Sequence, residues 1–328
     1  MGHPSPSSLA RAALLLGWIC CGLGAWAQEA RWPHQPLHLV VGFAAGGPTD
    51  LLARSLGKRL AQDLGQPVIV DNKAGANTII AADFVAHAQD RHTLLMGATN
   101  HSMIAALYSH QIHFDPVASF EPVCRIAATP TVLVVGPDSG LKSLQAFLDQ
   151  ARSRPGELSY ASPGLGSSVH FAAEQFSHLA GVRLNHVPYK GAAPALADVM
   201  SGQVDASFAS LGSVQGLIQS GKLRALAIAT PTRRPELPAL PTFEESGVHG
   251  YSADAWYGLL APRGLPPAAI ATLQAAVRRY AQSPEALAGF QSQGLAPALL
   301  CGPPFAQALA AESRNWSQLA QQLHLQNP

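Results

Sequence analysis

The chain has 328 residues, 48% of them hydrophobic and 12% charged. That is long for one hydrophobic core and suits two α/β domains, and the composition excludes a disordered chain. The net charge of +1 leaves no basic field to draw nucleic acid or an anionic membrane.

Residues 1–27 read as a secretory signal peptide. Arg11 precedes an apolar run, Ala12 to Gly24, and Ala25-Trp26-Ala27 supplies a small-residue cleavage site. The run is short for a membrane span. A lipid anchor at Cys20 or Cys21 is disfavoured by bulky Trp18 and Ile19 just before them. Loss of Arg11 leaves 20 basic and 20 acidic residues, so any preference for an anion must come from local geometry. Two cysteines then remain, Cys124 and Cys301. In an oxidising compartment they either pair or stay as two separate buried thiols.

Short apolar runs alternate with helical patterns from there on. Leu37–Val41 reads as a buried strand. Leu52, Leu56, Leu60 and Leu64 line one face of a helix that Gly65 stops. Val68–Val70 is a strand, 78–88 a helix and Thr93–Met96 a strand. Thr131–Val135 is a strand, Ser143 caps a helix to about Arg154, and Leu158–Ala161 is a strand. A helix from Ser167 to Ala180 ends at Gly181, and another from Ala193 to Ser201 ends at Gly202. Strands at Val204–Phe208, Leu223–Ala229 and Tyr257–Ala261 follow, then helices near 267–282, 284–293 and 304–324. The rhythm implies mostly parallel sheets flanked by helices. Pro and Gly cluster between Thr230 and Gly250, and a second connection is expected near Phe120–Thr129. These two crossings divide the mature chain into 28–128 with 251–328, and 129–250.

Two glycine loops each join a strand to a helix: Phe43-Ala-Ala-Gly-Gly-Pro-Thr-Asp50 and Ala161-Ser-Pro-Gly-Leu-Gly-Ser-Ser168. Glycine lets backbone approach a ligand closely, and a helix N-terminus offers free N–H groups and about half a positive charge. Phe43, Ala45, Gly46, Gly47, Thr49 and Asp50 are the candidates in the first loop. Asp50 would repel an anion and reads better as a cap of its own helix. Ser162, Gly164, Gly166, Ser167 and Ser168 are the candidates in the second, with His170 beside them. Tyr189, Lys190, Gly191 and Ala192 form a third strand-to-helix turn, where Lys190 either reaches a ligand or is simply solvated.

At these segments the sequence resembles the Bug receptors, the periplasmic binding proteins of tripartite tricarboxylate transporters. The resemblance rests on Leu39 to Arg54, Asp71-Asn-Lys-Ala-Gly-Ala-Asn77, Tyr160 to Gly166, His186 to Leu196, Gly202-Gln-Val-Asp205, Gly221 to Leu226 and Trp256-Tyr-Gly-Leu-Leu-Ala-Pro262. It implies a two-domain Venus-flytrap fold of the type II kind, crossed twice at a hinge. It also implies a small carboxylate ligand (a di- or tricarboxylate, an acidic amino acid or an aromatic acid) held mainly by backbone amides and waters. Thr99, His101, Asp205 and Ser210 join the candidate site on this ground. Ser210, Ala98-Thr-Asn-His-Ser102 and Asn77-Thr78 depart from the family pattern at positions expected near the cleft, which bears on ligand identity.

Enzymatic motifs are near misses. Gly216 to Leu223 lacks the Ser or Thr that a phosphate loop needs, and runs helix to strand. Gly164-Leu-Gly-Ser-Ser-Val169 has Val where a dinucleotide fingerprint needs a small residue. His34, His38, His110 and His113 lack clustered metal-ligating partners. The expectation is a monomeric periplasmic receptor with no cofactor, no metal and no nucleic-acid partner, which delivers its ligand to a membrane transporter. Alternatives are presentation of the ligand to a signalling partner, or a secreted enzyme using His101 or His170 as base.

Overall fold

The computed structural model describes residues 32–234, 236–251 and 253–322. The expected signal segment lies outside them. Residues 1–34 form one unit, of which Trp32–His34 are described. Gln35–Pro328 form the other. Among the described residues no helix is long and apolar enough to cross a membrane.

The larger unit opens with β1 (Leu37–Val41), α1 (Pro48–Leu64), β2 (Val68–Asn72), a single turn at Ala76–Thr78, α2 (Ile79–Ala86), β3 (Thr93–Ala98), α3 (Asn100–Tyr108) and β4 (Phe120–Thr129). Next come β5 (Thr131–Val135), α4 (Leu144–Ser153), β6 (Ser159–Ser162), α5 (Ser168–Ala180), β7 (Asn185–Pro188), α6 (Ala192–Met200), β8 (Ala206–Ser210), α7 (Leu211–Gln219) and β9 (Arg224–Ile228). It ends with β10 (Ala255–Pro262), α8 (Pro267–Ala281), α9 (Pro284–Ser292), β11 (Ala296–Cys301) and α10 (Pro303–Gln322).

Two sheets result, in the orders β11-β4-β10-β3-β1-β2 and β7-β6-β8-β5-β9. They are mixed rather than mostly parallel. Each keeps a parallel strand–helix–strand heart, β2-β1-β3 in one and β7-β6-β8 in the other. Antiparallel strands flank each heart: β4, β10 and β11 in the first sheet, β5 and β9 in the second. The chain changes sheet between β4 and β5, and again between β9 and β10, and so enters each sheet in reversed direction. The segment Phe120–Thr129, expected to be a connection, is therefore a ten-residue strand. The first crossing shrinks to Pro130, whose fixed φ stiffens the link.

Both faces of the second sheet are buried, as its flanking helices require. Leu133, Val135 and Phe208 point into one core with Phe147 and Phe176. Val132 and Val134 point into the other with Val199 and Val214. The helix boundaries follow local chemistry. Ser143 Oγ accepts the Ala146 N–H, and Ser283 Oγ accepts that of Ala286. Gly65 and Gly181 close α1 and α5 in left-handed conformations. Cys124 and Cys301, opposite each other on β4 and β11, are joined by a disulfide.

Candidate functional site

A cavity of 240 Å³ lies between the sheets, beyond the carboxyl ends of β1, β3, β6 and β8. Open α/β sheets place ligands there. Five helices begin at its wall. Gly47, Pro48 and Thr49 open α1, and Thr99 and Asn100 open α3. Ser168 and Val169 open α5, Ala192 opens α6, and Ser210 precedes α7. At α7 the Pro130 carbonyl accepts the Leu211 N–H and Thr129 Oγ1 that of Gly212, whereas the N-termini of α1, α3 and α6 have no side-chain cap. Their first N–H groups have no partner within the helix. The α5 terminus is capped by Ser167, whose Oγ accepts the His170 N–H.

Among the described wall residues there is no Lys, Arg or His, and one carboxylate, Asp254. The rest of the wall is Phe43, Asn100, Met103, Val169, Leu196, Trp256, Tyr257, Trp316 and smaller side chains. Burial pushes the Tyr257 hydroxyl up to about 12 and the Asp254 carboxyl up to about 6. An anion in this cavity would be met by peptide dipoles and hydroxyls, not by a fixed cation.

Of the expected site residues, the structure brings Phe43, Gly47, Thr49, Thr99, Ser168, Ala192 and Ser210 to the wall. Several others hold the loops in shape. Asp50 is buried beneath the first loop and accepts from the Gly46 N–H (2.9 Å), Arg54 Nε (2.9 Å) and Asn72 Nδ2 (3.0 Å). The Arg54 contact, reinforced by the Gly46 and Asn72 donors, holds its carboxyl at about 2 against the cost of burial. Ala45 and Gly46 are exposed at the loop tip.

The second loop is organised by imidazoles. Gly166, with φ +71°, donates its N–H to His170 Nδ1 (3.1 Å). His170 stacks on His186 with ring centres 4.1 Å apart, and His186 Nε2 lies 2.7 Å from Ser162 Oγ. Ser162 Oγ also donates to the Gly164 carbonyl, which Ser167 Oγ bonds as well. Burial, with His186 adjacent, lowers His170 to about 4. Burial alone does the same to His186. Both rings are therefore neutral near pH 7, as the Gly166 bond requires.

Five further candidates, His101, Asp205, Tyr189, Lys190 and Gly191, are also absent from the cavity wall. His101 turns into the core, where Nε2 meets the Pro116 carbonyl at 2.7 Å and Phe120 packs edge-on. Burial lowers it to about 4. Asp205 sits at the opposite end of the sheet and accepts from Ser159 N–H and Oγ. The Tyr189 hydroxyl donates to Asp198 (2.5 Å), and Lys190 is exposed. Gly191, at φ +119°, anchors the third turn through its N–H to the Pro163 carbonyl (3.0 Å). No group of metal-ligating side chains occurs among the described residues.

Asn100, within the stretch expected near the cleft, is on the wall, and the sequence reading missed Met103, Ser213, Asp254, Trp256 and Trp316 there. The available signal was a Thr or Ser at the end of a strand pattern, at Thr99 and Ser210, with no Gly or Pro to mark the turn.

Comparison with known proteins matches residues 52–325 to the model of the tripartite tricarboxylate transporter family receptor. BugT of Bordetella pertussis is 35% identical over 298 residues, covering 90% of this chain and 91% of that protein. Among solved structures, an R. palustris protein with adipate is 34% identical with a TM-score of 0.77, covering 88% of this chain and 97% of that one. MatC from Rhodopseudomonas palustris with bound malate is 32% identical with a TM-score of 0.73, covering 88% and 99%. With this agreement along nearly its whole body, the chain belongs to the tripartite tricarboxylate transporter receptor family, as a Bug-like solute-binding protein.

Proposed function

We propose that this protein is a periplasmic receptor that holds a small carboxylate between its two sheets and delivers it to a tripartite tricarboxylate transporter. The convergence of five helix N-termini on a cation-free cavity carries the reading. Roughly half a positive charge at each terminus suits one carboxylate group, and the cavity lies below the roughly 300–1,000 Å³ of drug-sized sites. Relatives solved with adipate and malate support the ligand class. Their shared family supports the transport role and the periplasm. Neither histidine considered as a catalytic base lines the cavity, which favours binding over turnover.

The hinge expected at the crossings 128/129 and 250/251 would let the two lobes close on the ligand. Closure is driven only by contacts better made in the closed form, and the glycine loops of both lobes supply them. A thermal-shift screen of carboxylates tests this. A ligand at 100 times its Kd adds about 2.7 kcal/mol. Gly47→Val, at a position whose φ of −78° accepts any residue, should fold and lose that gain. The reading fails if no small acid raises the melting temperature while a neutral sugar does.

A further inference from the structure

The chain has six tyrosines, all among the described residues, and five of their hydroxyls are engaged within the fold. Tyr160 donates to Glu174, Tyr189 to Asp198 and Tyr251 to the Ala172 carbonyl. Asn77 meets the hydroxyl of Tyr108, and Ser55 that of Tyr280. Tyr257 has no such partner, although the residue is only 9% exposed. A buried tyrosine hydroxyl usually finds one. Nor is this oxygen enclosed by packing, since the sealed side-chain atoms without partners lie on other residues. Tyr257 lines the central cavity, so the hydroxyl that the fold leaves unused opens there. Burial alone pushes it up to about 12, which keeps its proton in place as a donor at neutral pH.

The backbone fixes where this donor stands. Tyr257 lies on β10, opposite Ala98 of β3 and Ala127 of β4. The preceding residue, Trp256, donates its N–H to Thr99 Oγ1 (2.7 Å), and its carbonyl accepts the Thr99 N–H (3.1 Å). Strand β3 separates β10 from β1, which leads into the first glycine loop. Two strand spacings place the Tyr257 backbone about 10 Å from the end of β1. The cavity therefore has a glycine-loop end and an end beside the crossings. At the latter the other hydroxyls are occupied. Thr131 Oγ1 donates to the Ala253 carbonyl, and Thr99 Oγ1 donates to that of Asp254 (3.5 Å). The Asp254 carboxyl has Arg125 and Arg234 acting on it, so its charge is answered within the wall.

We propose that Tyr257 Oη donates to an oxygen at the far end of the bound acid, and so selects acids with a second oxygen group over those that end in a methyl. This rests on the carboxylate reading above and adds the residue that reads the other end. One carboxylate meets the glycine loops, and a short carbon chain spans the cavity. An acid with a methyl terminus would leave the hydroxyl buried without an acceptor, and a site built to hydrogen-bond an oxygen rejects the analogue that lacks it.

The test uses two pairs of acids matched in chain length, succinate with butyrate and adipate with caproate. Each is titrated calorimetrically into the mature chain and into Tyr257→Phe, which keeps the ring and removes the hydroxyl. In the wild type at least one diacid should bind about tenfold tighter than its monoacid, the scale of one hydrogen bond to a charged group. Tyr257→Phe should remove most of that preference, leave the monoacid within about twofold, and keep the melting temperature of the ligand-free protein. The proposal is overturned if neither diacid is preferred, if the variant retains the preference, or if it weakens both members of a pair equally. In each of those cases binding of the monoacids leaves the carboxylate reading standing. If none of the four acids binds, the role of Tyr257 falls, and the wider thermal-shift screen decides the carboxylate reading separately.

Discussion

Gly212 and Gly294 meet backbone against backbone where the two lobes join. A Cβ on Gly212 would lie 2.2 Å from the Gln293 carbonyl oxygen, and one on Gly294 would lie 2.5 Å from the Gly212 Cα. Thr129 sits in the same joint. Its hydroxyl accepts the Gly212 N–H (3.3 Å) and donates to the Gly294 carbonyl (3.2 Å). Gly212→Ala should destabilise by about 1–3 kcal/mol, since the obstructing atoms are backbone and cannot rotate away. Urea unfolding checks this, and unchanged stability would mean the lobes slide apart freely at that point.

Asn77 reaches across the cleft. Its Nδ2 donates to the Gly166 carbonyl at 3.4 Å, while its Oδ1 accepts from Asn100. It does so from a left-handed backbone, with φ of +48°. Asn77→Gly keeps that conformation available and removes the bond. Ligand affinity should drop about fivefold, the worth of roughly one net hydrogen bond. A calorimetric titration reads it, and unaltered affinity would remove Asn77 from the closed state.

Acid should weaken the fold through its histidines. His101, His170 and His186 are held near 4 by burial, whereas an unfolded chain protonates them near 6.5. The unfolded state therefore binds more protons between those values. Their contribution is complete above about pH 6.5 and is lost as pH falls toward 4. His170→Asn removes one of the three histidine titrations, and the decline in urea midpoint over that range should flatten. An unchanged slope would show that His170 does not titrate there.

Asp50 behaves in the same direction at lower pH. Its carboxyl is depressed to about 2, so its stabilisation is present above the unfolded value of about 3.9 and lost below. Asp50→Asn should cost about 1–3 kcal/mol at neutral pH, because three donors lose a charged acceptor. It should also loosen the Gly46 loop. Faster amide exchange at Gly46 and Gly47 would register that, and wild-type exchange rates would contradict it.

The alternation of strand and helix, the cap at Ser143 and the stops at Gly65 and Gly181 were legible because each depends on neighbours in sequence. Strand β4 was not. Pro122 and Arg125 interrupt its apolar pattern, and only pairing with β10 and β11 makes it a strand. The mixed sheet order escaped for a related reason, since strand direction is set by where the chain crosses between lobes. At the site, the glycine loops announced themselves through Gly, Pro and Ser. The α3 and α7 entrances, at Thr99 and Ser210, carry no such punctuation. His101 illustrates the limit. Its neighbour Asn100 lines the cavity, but the phase at which α3 docks turns His101 toward Pro116 and Phe120. Asp254, Trp256 and Trp316 come together only in three dimensions.

The bond between Cys124 and Cys301 spans 177 positions of sequence, and every strand of the five-stranded sheet lies within that span. The second lobe is thus a covalent lariat hung from the first. Tension applied between Gln35 and Gln322 would pass from β4 through the sulfurs into β11 and α10. The lariat would carry no load while the bridge is intact. Reduction would bring the second lobe into the line of force and release its hidden contour length, so the mechanical size of this receptor depends on the redox state of one pair of thiols.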